Sequence, residues 1–273
     1  MPRFCANISM LFAERPFLER FEAAARAGFE AVEMQFPYAF DRDLLAERAR
    51  GAVVEVVLIN LPAGDAGNGD RGIACIPGRE SEFRDGVGRA LGYARALGCR
   101  QMNCLAGIVP PGVEEQALRE TFVANVRYAA GELERAGMTL LVEPINTRTM
   151  PGFYVNRSGQ ALELIAESGA PNVRLQYDWF HMHIMEGRLA ETIAARLERI
   201  GHMQIADAPG RHEPGTGEID FPALFDLVDR LGYRGWIGAE YVPLKRTEDS
   251  LQWARRYLSP GSDPLRSVVE HRS

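Results

Sequence analysis

The sequence predicts a single α/β domain built as a closed (β/α)8 barrel, the TIM-barrel architecture, over residues 1–258. Three observations carry this. Short β-rich runs alternate with longer stretches of helical period, the alternation repeats eight times, and barrels of this kind routinely fill about 250 residues as one domain. An open doubly wound sheet usually has fewer strands and a glycine-rich nucleotide loop, and no GxGxxG opens a helix in this chain.

The predicted strands, in order, are Phe4 to Ser9, Ala31 to Gln35, Val53 to Leu61, Gln101 to Leu105, Thr139 to Glu143, Val173 to Asp178, His202 to Asp207 and Trp236 to Glu240. Most read as apolar on both faces, as buried parallel strands do. Between them lie helical segments such as PFLERFEAAARAG, EFRDGVGRALGYARALG and EEQALRETFVANVRYAAGELERAG, rich in Ala, Leu, Glu and Arg and closed by Gly28, Gly98 and Gly137, with Gly232 closing a later helix. The glycines inside GVGRALG are expected to serve close packing. Two segments stand outside the alternation. Pro62 to Gly78 is a glycine-rich loop after the third strand, long enough to suggest function and able to lie over the barrel mouth. The tail from Ser259, residues 259–273, loses the periodicity and reads as an extension.

Of 273 residues, 46% are apolar, and 31 Lys and Arg face 37 Asp and Glu for a formal charge of -6. That balance speaks against nucleic acid, whose binding surfaces are normally basic. No run approaches the roughly 18 apolar residues of a membrane span, and MPRFCANISMLF has no basic region, long apolar core and cleavage site, so the cytoplasm is the expected compartment. The four cysteines lack CxxC spacing and read as reduced core thiols.

Barrels of this class place chemistry at the C-terminal ends of their strands. Four successive strands end in capable groups: LLVEP with Glu143, LQYD with Asp178, HMQIAD with Gln204 and Asp207, and IGAE with Glu240. Singly, each could be a solvated loop group or a helix cap. Gathered at one mouth, Glu143, Asp178 and Glu240 would repel unless a cation lay between them. Their hard oxygens, with the carbonyl oxygen of Gln204, suit Mg2+ or Mn2+ better than zinc. Among the five histidines none forms HExxH; His181, three residues beyond Asp178, can reach a substrate oxygen, whereas His202 reads as buried. In the loop APGRHEPGTGEID, Asp220 reads as an N-cap and Arg211 as a fork of donors suited to a substrate carboxylate. Arg71 and Arg79, by the third loop, are weaker candidates for that role.

NISMLF, NLPAGD, GDRGIACIPGRE, NCLAG, EPIN, QYDWFHMHIMEG, HMQIADAPGRHEPGTGEID and AEY together resemble hydroxypyruvate isomerase, within the xylose isomerase-like barrels, over about residues 3–258. The resemblance implies interconversion of hydroxypyruvate and tartronate semialdehyde through a metal-stabilised enediolate. It implies Glu143, Asp178, Gln204 and Glu240 as metal ligands, Glu143 and Glu240 as the acid/base pair, and His181 and Arg211 as substrate contacts, to which the residues themselves add Arg71. The expected partner is a small anionic hydroxy or oxo acid, with a homo-oligomer allowed. This chain departs from the family in three places. Val242 stands where a lysine is usual, His183 where glutamine is common, and GDAGNGDRG lacks a tryptophan. These changes open the choice of acid, with a 2-oxo-tetronate as the alternative substrate. A ketose 3-epimerase fits less well, since such relatives typically carry histidine at the place of Gln204, and an endonuclease would need histidine-rich zinc sites and a basic face. A barrel kept only as a sensor or scaffold would have no reason to retain mutually repelling carboxylates.

Overall fold

In the computed structural model, which describes residues 1–258, eight parallel strands pair in chain order and close on themselves. They are β1 Arg3–Asn7, β2 Ala31–Met34, β3 Glu55–Asn60, β4 Gln101–Cys104, β5 Thr139–Val142, β6 Val173–Asp178, β7 Ile200–Ile205 and β8 Trp236–Ala239. β8 returns to β1 with Phe4 beside Ile237 and Ala6 beside Ala239. The expected tail, residues 259–273, lies outside the described residues. No helix among the described residues is long and apolar enough to cross a membrane.

The outer ring comprises α1 Arg20–Arg26, α2 Arg42–Ala52, α3 Glu80–Leu97, α4 Glu115–Arg135, α5 Ser158–Ser168, the pair α6 Trp179–Met185 and α7 Leu189–Arg196, and α8 Phe221–Arg230. Two features differ from a plain eightfold repeat: β6 is followed by two helices, and β8 by the 3-10 turn Thr247–Ala254. Gly98 has φ +68° beyond α3, a left-handed end that only glycine adopts without strain. Val53, expected to begin the third strand, instead closes α2 with φ +56° and is 86% exposed. Within GVGRALG, Gly86 packs against Pro62, but Gly88 faces open space, so close packing explains only part of that pattern.

Side chains two apart on a strand share a face, and this layering positions the site. Cys5, Ala31, Leu141 and Trp236, with Val57 and Leu58, form a small apolar cluster. Two residues further along the same faces stand Asn7, Glu33, Glu143 and Gly238. The expectation that the strands are apolar on both faces therefore does not hold. Their inner face turns polar toward the mouth, and Asn7, Glu33, Asn103, Gln176, His202 and Gln204 are all buried. The large apolar cluster includes buried residues of the helices, such as Phe122, Leu164 and Phe225. All four cysteines are free and buried, and burial pushes the thiols of Cys75 and Cys99 up to about 12.

The third loop folds over the mouth as expected. Cys75 N donates to Ala106 O at 2.9 Å, and Gly72 bridges Ala106. At this crossing the backbones approach so closely that a Cβ on Gly107 would lie 2.4 Å from Gly72 O.

Candidate active site at the barrel mouth

Glu143 follows β5 directly, Asp178 is the last residue of β6, and Glu240 follows β8. Glu143 Oε2 accepts from Asn103 Nδ2 at 2.6 Å. Asp178 also caps α6: its Oδ1 accepts from the N–H groups of Phe180 at 2.8 Å and His181 at 3.3 Å. Asp178 Oδ2 is buried and has no hydrogen-bond partner. Glu240 Oε1 accepts from Gln35 Nε2 at 2.6 Å and Asn7 Nδ2 at 3.1 Å, while its Oε2 accepts from Arg211 Nη2 at 3.0 Å.

His181 sits among these carboxylates, with Nε2 3.7 Å from Asp178 Oδ2 and 3.9 Å from Glu143 Oε1. Its tautomer follows from its neighbour. Asn146 Oδ1 accepts from Arg148 N, Thr149 N and Thr149 Oγ1, so its Nδ2 is the atom aimed, at 2.6 Å, at His181 Nδ1. Nδ1 therefore accepts and Nε2 carries the proton. Burial, with Arg211 adding to it and Asp178 opposing, lowers the imidazole to about 4, so the ring is a neutral donor at ordinary pH.

Arg211 reaches this cluster on the loop after β7, in left-handed backbone with φ +57°. Besides Glu240 it approaches Asp178 Oδ2 at 3.8 Å, and its guanidinium lies 5.1 Å from the centre of the Phe180 ring. Its Nε is buried without a partner, leaving a donor free. The loop is organised by Asp207, a residue whose role the sequence did not reveal. Asp207 Oδ1 accepts from Ala208 N and Ile219 N, and its Oδ2 from Gly215 N and Gly217 N, at 2.8–3.1 Å. Its backbone oxygen accepts from Arg211 N at 2.8 Å. A Cβ on Gly217 would lie 1.9 Å from Ala208 O, so glycine is required there.

Gln204 pairs in register with Asp178 on the neighbouring strand, but its amide is taken up by the buried polar layer. Its Nε2 donates to Glu33 Oε1 at 2.7 Å and its Oε1 accepts from Gln176 Nε2 at 2.6 Å, leaving one lone pair of that oxygen. Arg71 is exposed on the loop at the cavity edge and donates to Asp70 O. Arg79, by contrast, grips both oxygens of Asp70 at 2.8 Å and also Glu82, so it is a structural clamp and no substrate contact. Asp220 caps α8 as expected, accepting from Ala223 N. Glu143, Glu240, His181, Arg211 and Arg71 all line one cavity of about 580 Å³, whose apolar side includes Phe36, Tyr38, Leu105, Ile145 and Met150.

Burial raises the carboxyls of the pair. Glu240 is pushed up to about 8 by desolvation, with Arg211 opposing and Asp178 and Glu33 adding. Glu143 is raised well above the carboxylate range by desolvation, then by Glu240 and Asp178. A group whose folded pKa is raised stabilises the fold fully below its unfolded pKa and loses that contribution as pH rises through the folded value. Without divalent metal the protein should thus lose stability between about pH 5 and pH 8.5, by a few kcal/mol in order of magnitude. Mn2+ should raise the melting temperature more at the higher pH. Thermal melts with and without Mn2+ check this, with a shallower decline expected for Glu240→Gln; a pH-independent difference between wild type and that variant would refute it.

The donor set fits a hard cation. One ligand atom from each of Glu143, Asp178 and His181 lies within 4.8 Å of the others, Glu240 standing outside this group, and Asp178 Oδ2, with no hydrogen bond and Arg211 no nearer than 3.8 Å, is open to a cation. The protonated Nε2 makes His181 a donor beside such an ion and leaves oxygens as its ligands.

The sequence profile of the family described as Xylose isomerase-like TIM barrel matches residues 21–257. Hydroxypyruvate isomerase of Escherichia coli (strain K12) is 50% identical over 257 residues, covering 94% of this chain and 100% of that protein. The 2-oxo-tetronate isomerase of Cupriavidus necator is 43% identical over 94% of this chain and 99% of its own length. A solved structure from Brucella melitensis, titled AP endonuclease, family 2, superposes with a TM-score of 0.93 at 47% identity, covering 95% of this chain and 100% of that one.

Proposed function

This chain belongs to the xylose isomerase-like TIM barrel family and is an isomerase, and we propose that it interconverts hydroxypyruvate and tartronate semialdehyde through an enediolate. The observation that carries the reading is that Glu143 and Glu240, three strands apart around the barrel, enter one cavity beside Arg211. Each carboxylate has an oxygen anchored by an amide, from Asn103 or from Asn7 and Gln35, which fixes the geometry a proton-transfer group needs. Glu240, pushed up to about 8, is suited to take and return a proton near neutral pH, and burial raises Glu143 in the same direction.

One glutamate removes a proton from C3 of hydroxypyruvate, the electron pair becomes the C2–C3 double bond, and a proton returned at C2 leaves C3 as the aldehyde. The hydroxyl proton of C3 passes to the oxygen on C2, so nothing is gained or lost. His181 Nε2–H donates to a substrate oxygen as charge develops there. Arg211, with its free Nε–H, holds the substrate carboxylate, and Arg71 closes the loop side. Glu143, Asp178, Glu240 and the free lone pair of Gln204 Oε1 would hold a divalent cation, Mg2+ or Mn2+ by donor type, which supplies Lewis-acid polarisation of the substrate oxygens when bound. The partner is a small anionic acid, and the cytoplasm is the compartment this reading assigns.

The apolar side of a 580 Å³ cavity leaves room for a longer chain than three carbons, which favours a 2-oxo-tetronate as the second reading. Turnover of the two acids by purified protein with Mn2+ separates them. Hydroxypyruvate is expected to be the better substrate by kcat/KM; turnover of neither acid, or of neutral ketoses alone, would overturn the proposal. Arg211→Lys should raise KM for hydroxypyruvate roughly tenfold, because a point charge replaces a planar fork. An unchanged KM would remove Arg211 from substrate binding.

A further inference from the structure

We propose that Glu33 is a positioning residue for the reaction, fixing the amides of Gln204 and Asn7 and, through Asn7, the carboxylate of Glu240. Glu33 is fully buried at the centre of the barrel's inner face, below the mouth. Its Oε1 accepts from Asn7 Nδ2 at 2.9 Å and Gln204 Nε2 at 2.7 Å. Its Oε2 lies 2.6 Å from His202 Nε2 and 3.5 Å from Cys5 Sγ. Gln101 Nε2 faces the other ring nitrogen of His202 at 3.4 Å, so His202 accepts there and donates to Glu33.

Four donors on one carboxylate complete its hydrogen bonding, so this Cys5, Glu33 and His202 cluster needs no metal. Position 238 on β8, two strands away across β1, is glycine where a Cβ would lie 2.3 Å from Glu33 Oε1, so β8 leaves the space the carboxylate occupies.

The consequence for the mouth is one of orientation. An amide can present either its oxygen or its nitrogen, and a carboxylate below accepts only hydrogens. Glu33 therefore holds the Gln204 nitrogen downward and its oxygen toward Gln176 and the mouth. It holds Asn7 likewise, so that Nδ2 spans Glu33 Oε1 and Glu240 Oε1. Asn7 is also fixed at its other end, where its Oδ1 accepts from Ser9 N at 3.1 Å, so without that acceptor the Gln204 amide is free to turn over, while Asn7 Nδ2 loses one of the two carboxylates that hold it in place against Glu240.

This inference rests on the reading that Glu240 serves the reaction, and the test separates the two. Glu33→Gln keeps an oxygen for both amides, and its nitrogen can face His202 Nε2 once the ring takes the other tautomer and the Gln101 amide turns its oxygen to Nδ1. Glu33→Asp keeps the charge but withdraws by one methylene from both amides. With hydroxypyruvate as substrate, Glu33→Gln should keep kcat within about threefold, whereas Glu33→Asp should lose about tenfold or more with KM changed less. Mn2+ affinity, measured by electron paramagnetic resonance, should weaken in Glu33→Asp and hold in Glu33→Gln.

Wild-type kcat and Mn2+ affinity in Glu33→Asp would overturn the proposal. So would a loss in Glu33→Gln as large as in Glu33→Asp, which would make the charge and not the acceptor geometry decisive. A Glu240→Gln variant at full activity would instead overturn the proposed function itself, whatever the Glu33 variants do.

Discussion

Glu143→Gln and Glu240→Gln should each lower kcat by about 10²- to 10⁴-fold, the usual contribution of a positioned acid or base, while leaving the fold intact. The substitutions are nearly isosteric, and each site supplies a partner for the new amide. In Glu143→Gln the oxygen can still accept from Asn103 Nδ2, and in Glu240→Gln from Gln35 Nε2 and Asn7 Nδ2. Removing the Glu143 carboxylate also relieves repulsion from Glu240 and Asp178, so Glu143→Gln should not melt below the wild type in the absence of metal, whereas Glu240→Gln gives up its ion pair with Arg211 and should melt slightly lower. Steady-state kinetics and a thermal melt on the same preparations check both halves. Either variant at near wild-type rate would exclude that residue from proton transfer.

Asp207→Ala should produce the second large effect, in stability and activity together. The carboxylate accepts four backbone N–H groups of its own loop, and those of Ala208 and Ile219 are buried. Leaving a buried donor unpaired costs about 1–3 kcal/mol, so these two alone should cost about 3 kcal/mol or more. For a chain of this size that lowers the melting temperature by roughly 6–12 °C. Arg211 has its N–H on Asp207 O and left-handed backbone, so kcat/KM should fall at least tenfold as the guanidinium loses its place against Glu240. Asp207→Asn, which keeps one acceptor oxygen, should be intermediate. A melting temperature within about a degree of wild type would show that the loop is held by other contacts.

The sequence disclosed the barrel because eight apolar runs and their glycine-stopped helices are local signals, and disclosed the mouth because Glu143, Asp178 and Glu240 each end such a run. Boundaries were harder. Val53 belongs by type to the β-branched run that follows it, yet it closes α2, since the turn out of a helix is set by chain geometry rather than side-chain preference. Asp207 looks in sequence like the other strand-end carboxylates, and only its four backbone partners mark it as a loop organiser. Arg71 and Arg79 are alike in a linear reading, but Asp70, nine residues before Arg79, captures the latter by a long-range fork. The inner polar layer did leave a signal. A glutamate within AVEM, in a strand buried on both faces, must find donors, and Asn7 and Gln204 on the adjoining inner face are those donors.

The central claim is that carboxylates at this mouth move a proton between adjacent carbons by way of an enediolate. Proton NMR of hydroxypyruvate with the Mg2+-loaded protein in deuterium oxide tests it most directly. Solvent deuterium should enter C3 of hydroxypyruvate and C2 of tartronate semialdehyde, and Glu143→Gln and Glu240→Gln should lose that exchange. Full conversion into product that retains all its carbon-bound hydrogen would contradict the account.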